Sequence, residues 1–521
     1  MIDLDAIATL ADIPRAQAKA RGAQTAILFE GETLSYAELD RRSNQVANAM
    51  IAANVTPGAR ISVLAKNHPR WFEVFFGAAK ARACLAPINA RLAAPEAAFV
   101  LEDSDPALFF VGEDFFDIAE QALAGLARRP RLIALTGERA GFEPFEAWRD
   151  AAPATDPALG ERLSDDVLQL YTSGTTGRPK GVVLTNRNYR RFMEMAGGIE
   201  GFAYEPEERV LIVMPLFHVA GTNVSFSGLA QGGTLVLMKD FTPAEALALI
   251  EAQGVAHAFL APAMILMLLQ APQIAETRLS SLRSIAYGAS PISEEVLRRA
   301  QAAFGCGFVQ FYGMTESAGA GTALSPSAHE IPGKLRSCGQ AWPDVEVAVL
   351  DPEGRPTPVG EVGEIAIRGD IVMDRYWNRP EASAETVRDG WLFTGDAGYF
   401  DEDGFLYIHD RLKDMIVTGG ENVYPAEVEN AIFGCPGVAD VAVIGVPSER
   451  WGEEVKAVVV LVDDAEADPQ SVIAWAKSRI AGYKAPKSVD FVEALPRNPS
   501  GKVLRRELRK PYWVGRDRAV S

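Results

Sequence analysis

The sequence predicts an α/β protein in which helices cover mostly parallel sheets, and three observations support this. The chain has 521 residues, more than one hydrophobic core usually holds, so two or more domains are expected. Short apolar runs alternate with helical stretches from residue 26 to residue 237. Beyond residue 343 the pattern changes to alternating strands joined by turn residues.

Strands and helices already alternate among the first predicted elements. A strand is expected at 26–29 and a tight turn at 30–32, and a helix then begins after Ser35, which forms a capping box with Glu38. A helix is also expected at 71–81, and further strands at 60–64, 84–88, 108–111, 131–135, 210–214 and 234–237. This βαβ order predicts mostly parallel sheets with helices on their faces.

The second half of the chain differs from the first. Segments 345–350 and 363–367 read as antiparallel strands, which predicts a small β subdomain at about residues 340–411. A charged connector follows at 411–414. We place the domain boundary there, with an N-terminal domain of residues 1–411 and a small, mobile α+β C-terminal domain of residues 412–521.

The composition disfavours several classes of protein. The net charge of −18 argues against a nucleic-acid partner, although residues 471–521 carry twelve Lys/Arg and four Asp/Glu. That basic tail is either a solvated face or a complement to a polyanionic substrate. Four scattered cysteines are typical of a reducing compartment, and the five histidines show no metal-type spacing.

No targeting or membrane segment is expected. The first residues lack the basic and apolar regions of a signal peptide. The most apolar run, residues 258–269, contains Pro262 and is too short to span a bilayer. We therefore expect a cytoplasmic protein without an integral membrane segment.

The segment YTSGTTGRPKG, residues 171–181, lies between two apolar runs. Its glycines permit close approach of a ligand, and its backbone N–H groups and hydroxyls can form an anion-binding concavity. It is not a P-loop, because only Arg-Pro separates Gly177 from Lys180 and a strand-like run follows. The alternative is a surface hairpin that is rich in Thr and Gly.

Other short motifs suit the parts of a nucleotide. In YGMTE, residues 312–316, an aromatic ring can stack on a purine while Thr and Glu address phosphate and Mg²⁺. Asp396 suits the two hydroxyls of a ribose, and Lys502 on a Pro/Gly-rich loop can bring a positive charge to a transition state. The alternatives are a strand-to-turn transition, a helix cap or turn former at Asp396, and a solvated lysine.

Eight motifs in order resemble the core motifs of the AMP-forming adenylating enzymes. This superfamily comprises acyl-CoA synthetases, luciferases and the adenylation domains of peptide synthetases. The resemblance covers nearly the whole chain, and the motifs are YTSGTTGRPKG, MPLFH, YGAS, YGMTE, TGD, HDRLKD, GGENVYPAEVE and PRNPSGK. One departure is His409-Asp410, where many members have a glycine before the arginine.

The resemblance implies a binding site for ATP and Mg²⁺. Thr315 would meet the α-phosphate and Glu316 the Mg²⁺. The residues implied for the other phosphates are Thr172, Ser173, Gly174, Thr175, Thr176 and Lys180. The residues implied for adenine and ribose are Gly288, Ala289, Ser290, Tyr312, Gly313, Met314, Asp396, Ile408 and Arg411.

The resemblance also implies two half-reactions. Lys502 would bridge the carboxylate and the α-phosphate during adenylation, and Lys413 would be the hinge about which the C-terminal domain swings. Coenzyme A would then accept the acyl group. The residues implied for its pantetheine arm are Gly419, Gly420, Glu421 and Asn422, and weaker candidates for its nucleotide are Trp451, Lys477 and Lys484.

The acid is argued from the acyl pocket. Amino-acid-activating members usually carry a Phe-Asp pair where this chain has Phe217-His218, so an amino acid is disfavoured. His218 resembles the histidine that lines the acyl pocket of CoA ligases, the alternative being a histidine packed beside the sheet. Further pocket candidates, which are also compatible with plain core packing, are Val219, Asn223, Phe226, Met264, Met267 and Met314.

Three functions follow, in order of preference. The first is an acid–thiol ligase that activates a medium- or long-chain fatty acid, or alternatively an aryl or polycyclic acid, and transfers it to CoA. The second is a fatty acyl-AMP ligase that loads a carrier protein. The third is a regulatory nucleotide-binding protein. The expected partners are therefore a small carboxylic acid, ATP and CoA, and the sequence leaves a homodimer open.

Overall fold

The computed structural model describes residues 6–172, 179–290, 292–411, 414–418, 421–448, 450–462, 465, 467–497 and 502–514. The helices are α1 (Asp12–Arg21), α2 (Tyr36–Ala52), α3 (Pro69–Lys80), α4 (Ala94–Ser104), α5 (Phe116–Leu123), α6 (Phe145–Asp150), α7 (Asn186–Ala196), α8 (Val219–Ala230), α9 (Pro243–Gln253), α10 (Pro262–Gln270), α11 (Glu294–Phe304), α12 (Pro326–His329), α13 (Pro380–Thr386), α14 (Pro425–Phe433), α15 (Pro469–Lys477) and α16 (Arg505–Arg509).

The strands run through the whole described chain. They are β1 (Thr25–Phe29), β2 (Glu32–Ser35), β3 (Arg60–Leu64), β4 (Cys84–Pro87), β5 (Leu108–Val111), β6 (Arg131–Ala134), β7 (Glu143–Pro144), β8 (Asp166–Thr172), β9 (Lys180–Thr185), β10 (Arg209–Ile212), β11 (Thr234–Leu237), β12 (His257–Leu260), β13 (Ser284–Gly288), β14 (Gly307–Tyr312), β15 (Thr322–Leu324), β16 (Gln340–Ala341), β17 (Glu346–Leu350), β18 (Gly363–Arg368), β19 (Arg375–Tyr376), β20 (Val387–Arg388), β21 (Trp391–Phe400), β22 (Leu406–Arg411), β23 (Ile416–Thr418), β24 (Glu421–Val423), β25 (Val438–Ser448), β26 (Gly452–Leu461) and β27 (Ser488–Phe491).

Two large sheets form the N-terminal part. One has the order β16-β15-β14-β13-β12-β10-β11-β1-β2, and it is parallel from β14 to β1. The other has the order β19-β9-β8-β4-β3-β5-β6-β7, and it is parallel from β8 to β7. Strands β4, β5, β11 and β12 are buried along their whole length, as expected for parallel strands covered on both faces. The predicted fold class is confirmed.

Two smaller sheets follow. Strands β17, β18, β20, β21 and β22 form the predicted antiparallel β subdomain. Strands β23 to β27 form a separate mixed sheet, and α14 and α15 pack on it around a core of their own that includes Val443, Ala457 and Val472. The placement of the domain boundary between residues 411 and 412 stays a prediction.

The fold brings several predicted motifs to one edge. Strands β13 and β14 are parallel neighbours, so the turns that follow them emerge side by side. Strands β8 and β9 are an antiparallel pair. Within the described ranges, no helix combines the length and the apolar character needed to cross a bilayer.

Candidate active site

The predicted phosphate loop joins two paired strands. Thr172, the last residue of β8, lies opposite Lys180, the first residue of β9, so β8 and β9 are the two arms of an antiparallel hairpin. This confirms the two flanking strands. Four residues predicted to contact phosphate, Ser173, Gly174, Thr175 and Thr176, lie outside the described residues.

A carboxylate lies beside the ends of this hairpin. The Thr172 hydroxyl is 3.4 Å from Oε1 of Glu316, and the Tyr376 hydroxyl donates to the same oxygen at 2.8 Å. The Lys180 ammonium group lies 4.8 Å from the centre of the Tyr376 ring. The structure therefore brings together Thr172, Lys180 and Glu316, which the sequence analysis placed in one site, and adds Tyr376, which it missed.

The turns after β13 and β14 depend on close backbone approach. A Cβ atom on Gly288 would lie 2.5 Å from the Phe311 carbonyl oxygen, and one on Gly313 would lie 2.6 Å from the carbonyl carbon and oxygen of Gly319. Ala289 has a φ angle of +66°, which few non-glycine residues adopt. Both turns therefore hold their backbones in arrangements that larger side chains would disturb.

The turn after β14 carries the phosphate and metal candidates. Residues Thr315–Ser317 form a 3-10 turn, and the Ser317 hydroxyl accepts a hydrogen bond from the Met314 N–H at 3.1 Å. Glu316 is buried, whereas Thr315 and Met314 are half-buried. The backbone N–H of Met373 donates to the Glu316 carbonyl oxygen at 2.7 Å, which ties the turn to the segment before β19.

The adenine and ribose candidates are hydrogen-bonded to each other. The Tyr312 hydroxyl donates to Oδ2 of Asp396 at 2.9 Å. Burial, together with the nearby Asp396 charge, raises the pKa of Tyr312 well above its usual value, so the hydroxyl keeps its proton. Asp396 lies within β21 opposite Arg411 of β22, so it is not a turn residue. Ile408 and Tyr312 pack against the same small apolar cluster.

His218 caps the buried helix α8. Its Nδ1 atom accepts a hydrogen bond from the Ala220 N–H at 3.2 Å. Burial lowers the pKa of His218 to about 4. The ring is therefore neutral at pH 7, and because Nδ1 acts as an acceptor, its proton is on Nε2.

Asn223 on α8 has one satisfied and one unsatisfied side-chain atom. Its Nδ2 donates to the Ala318 carbonyl oxygen at 2.7 Å, which links α8 to the turn after β14. Its Oδ1 is buried, and none of the described residues donates a hydrogen bond to it. A buried acceptor of this kind is a place where a ligand hydroxyl gains affinity.

The remaining acyl-pocket candidates separate into two groups. Val219 is buried, and Met264 and Met314 are half-buried. Phe226, in contrast, lies in the aromatic core with its ring centre 4.5 Å from that of Phe75, and Met267 is 45% exposed on α10. For Phe226 the structure agrees with the alternative of core packing.

Lys502 faces the N-terminal part of the chain. It lines a cavity of about 130 Å³ together with Ser290, one of the predicted nucleotide contacts. Pro262 and Ile292 contribute from the same side, and Asn430 of α14 contributes from the C-terminal part. The fold thus brings Lys502 to the edge where β13 ends.

The residues predicted to bind coenzyme A have different surroundings. Trp451 is exposed, and the Arg450 guanidinium lies 4.6 Å from its ring centre. Lys484 donates to Glu427 at 2.7 Å and Lys477 is exposed at the end of α15. Lys413, Gly419 and Gly420 lie outside the described residues, as do the side chains of Arg411, Glu421 and Asn422.

Two protein-family models match the chain. Residues 14–377 match the model described as AMP-binding enzyme, and residues 427–502 match the AMP-binding enzyme C-terminal domain. The chain belongs to the AMP-binding enzyme family. The resemblance to the adenylating superfamily is thereby confirmed.

Relatives of this AMP-binding enzyme match it over most of its length. It is 41% identical to a fatty acid–[acyl-carrier-protein] ligase, ScoC, of Streptomyces coeruleorubidus over 95% of each chain. It is also 41% identical to a feruloyl-CoA synthase of an Amycolatopsis species, over 94% of this chain and 96% of that one. The structure of ATP-bound MatB from Rhodopseudomonas palustris superposes with a TM-score of 0.88 at 30% identity, covering 96% and 99% of the two chains.

These matches confirm the predicted enzyme class, an AMP-forming acid–CoA ligase. The use of ATP and CoA is consistent with the family. The names of the relatives state different acids, among them a fatty acid and ferulate.

Proposed function

We propose that this AMP-binding enzyme activates a hydrophobic carboxylic acid, with a medium- or long-chain fatty acid favoured, and transfers it to CoA. One observation carries the proposal. Lys502 of the C-terminal part and Ser290 of the N-terminal part line one cavity. This supports a role for Lys502 in adenylation, because Ser290 is a predicted nucleotide contact.

In the first half-reaction, a carboxylate oxygen of the acid attacks the α-phosphorus of ATP, and pyrophosphate leaves with the electrons of the broken P–O bond. Negative charge accumulates on the oxygens around phosphorus. In this proposal, Lys502 and Thr315 stabilise that charge and Lys180 holds the departing phosphates. Asp396, held by the Tyr312 hydroxyl, would accept hydrogen bonds from the ribose hydroxyls.

In the second half-reaction, the thiolate of CoA attacks the acyl carbon, and AMP leaves as the mixed-anhydride bond breaks. The proton of the thiol is lost to solvent before the attack. His218 is neutral with its proton on Nε2, so it can donate a hydrogen bond in the acyl pocket but cannot serve as the base through that atom.

The residues present fit a magnesium ion. Glu316 and Thr172 supply hard oxygen donors, and among the described residues no cluster of three or more His, Cys, Asp or Glu could form a complete protein cage. Mg²⁺ typically uses one or two carboxylates and completes its shell with phosphate oxygens and water. When bound, the ion would neutralise phosphate charge, and Glu316 would hold it.

A second candidate substrate is an aryl acid that carries a hydroxyl group. The observation that favours it is the buried, unsatisfied Oδ1 atom of Asn223. A straight alkyl chain would leave this acceptor unpaired, whereas a phenolic hydroxyl would donate to it.

The decisive assay is pyrophosphate release with straight-chain, aryl and polycyclic acids, each with and without CoA. We expect release with a hydrophobic acid and formation of the acyl-CoA thioester. Release that is independent of CoA with poor thioester yield would favour a ligase that loads a carrier protein. ATP binding without release for every acid would favour a regulatory nucleotide-binding protein.

Lys502→Ala tests the assigned role. We expect adenylation to fall by about 100-fold or more, because a transition-state charge loses its partner, while thioester formation from supplied acyl-adenylate is spared. Lys487→Ala is the matched control, since Lys487 is an exposed lysine of the same tail that donates to the Gly482 carbonyl oxygen. Equal loss of both half-reactions in Lys502→Ala would refute the role.

A further inference from the structure

The residues at the base of the phosphate hairpin converge on one tyrosine. Tyr376 is 5% exposed, and its hydroxyl donates to Glu316 while its ring faces the Lys180 ammonium group. The three residues belong to segments far apart in the chain, so their meeting results from the tertiary fold.

The backbone holds Tyr376 firmly in this place. It pairs with Val182 of β9, the strand that begins at Lys180. Its N–H donates to the Ser383 hydroxyl at 2.9 Å. Because Tyr376 and Lys180 are tied to the same strand, the ring keeps a fixed position relative to the hairpin.

The hydrogen bond from Tyr376 gives the two oxygens of the Glu316 carboxylate different surroundings. Oε1 accepts from Tyr376 and lies near the Thr172 hydroxyl. Within the described part of the chain, no hydrogen bond is directed at Oε2. A carboxylate anchored through one oxygen presents the other to a cation in a fixed direction.

We propose that Tyr376 is a positioning residue that orients Glu316 for the divalent cation and holds Lys180 for the phosphates of ATP. The hydroxyl performs the first task and the ring face the second, since an ammonium group is attracted to the face of an aromatic ring. This inference rests on the proposed function, because it assigns Glu316 and Lys180 the roles given there.

Two substitutions separate the two tasks. Tyr376→Phe keeps the ring and removes the hydroxyl, so we expect the concentration of Mg²⁺ for half-maximal pyrophosphate release to rise about tenfold with little change in the KM for the acid. Tyr376→Leu also removes the ring, and we expect its KM for ATP to be about two- to tenfold higher than that of Tyr376→Phe.

A binding measurement independent of turnover uses Mn²⁺ as the probe. Mn²⁺ binding to the enzyme with an α,β-methylene analogue of ATP is followed by water-proton relaxation. We expect Tyr376→Phe to weaken the ternary complex about tenfold. Tyr36→Phe is the control, because it removes another buried hydroxyl, 2.6 Å from the Gly233 carbonyl oxygen, and is expected to change thermal stability without changing Mn²⁺ affinity.

A double-mutant cycle decides whether the effect passes through Glu316. If it does, Tyr376→Phe changes Mn²⁺ affinity by less than about twofold in a Glu316→Gln background. Wild-type Mn²⁺ affinity in Tyr376→Phe, an additive cycle, or a loss of thermal stability alone would each overturn the assignment. If the wild-type enzyme binds the Mn²⁺–nucleotide complex but releases no pyrophosphate, the proposed function is refuted. The Mn²⁺ affinities of the variants would then still test the role of Tyr376.

Discussion

At the scale of single residues, two histidines cap helices through a neutral ring nitrogen. His68 Nδ1 accepts from the Arg70 N–H at 3.1 Å at the start of α3, as His218 does at the start of α8. Burial lowers the pKa of His68 from 6.5 to about 4. The unfolded chain therefore takes up a proton at a higher pH than the native protein, and His68 costs stability as the pH falls from about 6.5 to about 4.

The substitution His68→Asn removes this titration and keeps a side-chain cap. We expect the loss of unfolding free energy between pH 7 and pH 4.5 to be smaller by about 2 kcal/mol than in the wild type, measured by urea denaturation. Ser35→Asn is the control, because it exchanges one non-titrating cap of α2 for another and should leave the pH dependence unchanged. An unchanged pH dependence in His68→Asn would show that burial does not lower the pKa of His68.

The sequence predicted site residues that lie within recognisable motifs, but not those that reach the site through tertiary contacts. Thr172, Lys180 and Glu316 were assigned to one site from short motifs, and the structure brings them together. Tyr376 was missed because its bond to Glu316 joins residues 60 positions apart and arises from the pairing of β19 with β9. No local pattern in the sequence encodes that pairing. Similarly, the unsatisfied Oδ1 of Asn223 depends on which groups surround α8.

At the scale of elements, the turn after β14 depends on close packing. Gly313 begins this turn, and its φ angle is not positive. The need for glycine is steric, since a Cβ atom there would lie 2.6 Å from the Gly319 backbone. The atoms that it would meet are the carbonyl carbon and oxygen of Gly319, which cannot rotate away as a side chain can. Gly313→Ala must therefore displace the turn that carries Thr315 and Glu316.

We expect Gly313→Ala to lower the unfolding free energy by about 1–3 kcal/mol and pyrophosphate release by about 100-fold. Urea denaturation and the release assay measure the two effects. The matched control is Gly197→Ala at the end of α7, where φ is −66° and an added Cβ atom would meet nothing within 4 Å. Stability there should change by less than about 0.5 kcal/mol. Wild-type turnover in Gly313→Ala would show that the turn tolerates displacement.

At the scale of the whole molecule, the two parts of the chain have separate cores. The N-terminal core includes residues from Ile7 to Leu392, and the core around β23 to β27 includes residues from Ile416 to Val489. This division was predictable, because hydrophobic periodicity is local. The relative placement of the parts was not, because it depends on contacts such as the 4.6 Å between the rings of His409 and Tyr424 and on the cavity that Lys502 shares with Ser290.

Separate cores predict separate folding. We expect fragments 1–411 and 412–521 each to unfold in a cooperative transition, followed by circular dichroism. Fragment 1–411 should bind the ATP analogue but release pyrophosphate about 100-fold or more slowly than the intact enzyme, because Lys502 lies in the other fragment. Mixing the two at micromolar concentration should restore little activity, since the intact connection supplies an effective concentration of about millimolar. Full-length Lys502→Ala is the control and should match fragment 1–411 in adenylation. A fragment 412–521 without a cooperative transition would place the boundary elsewhere.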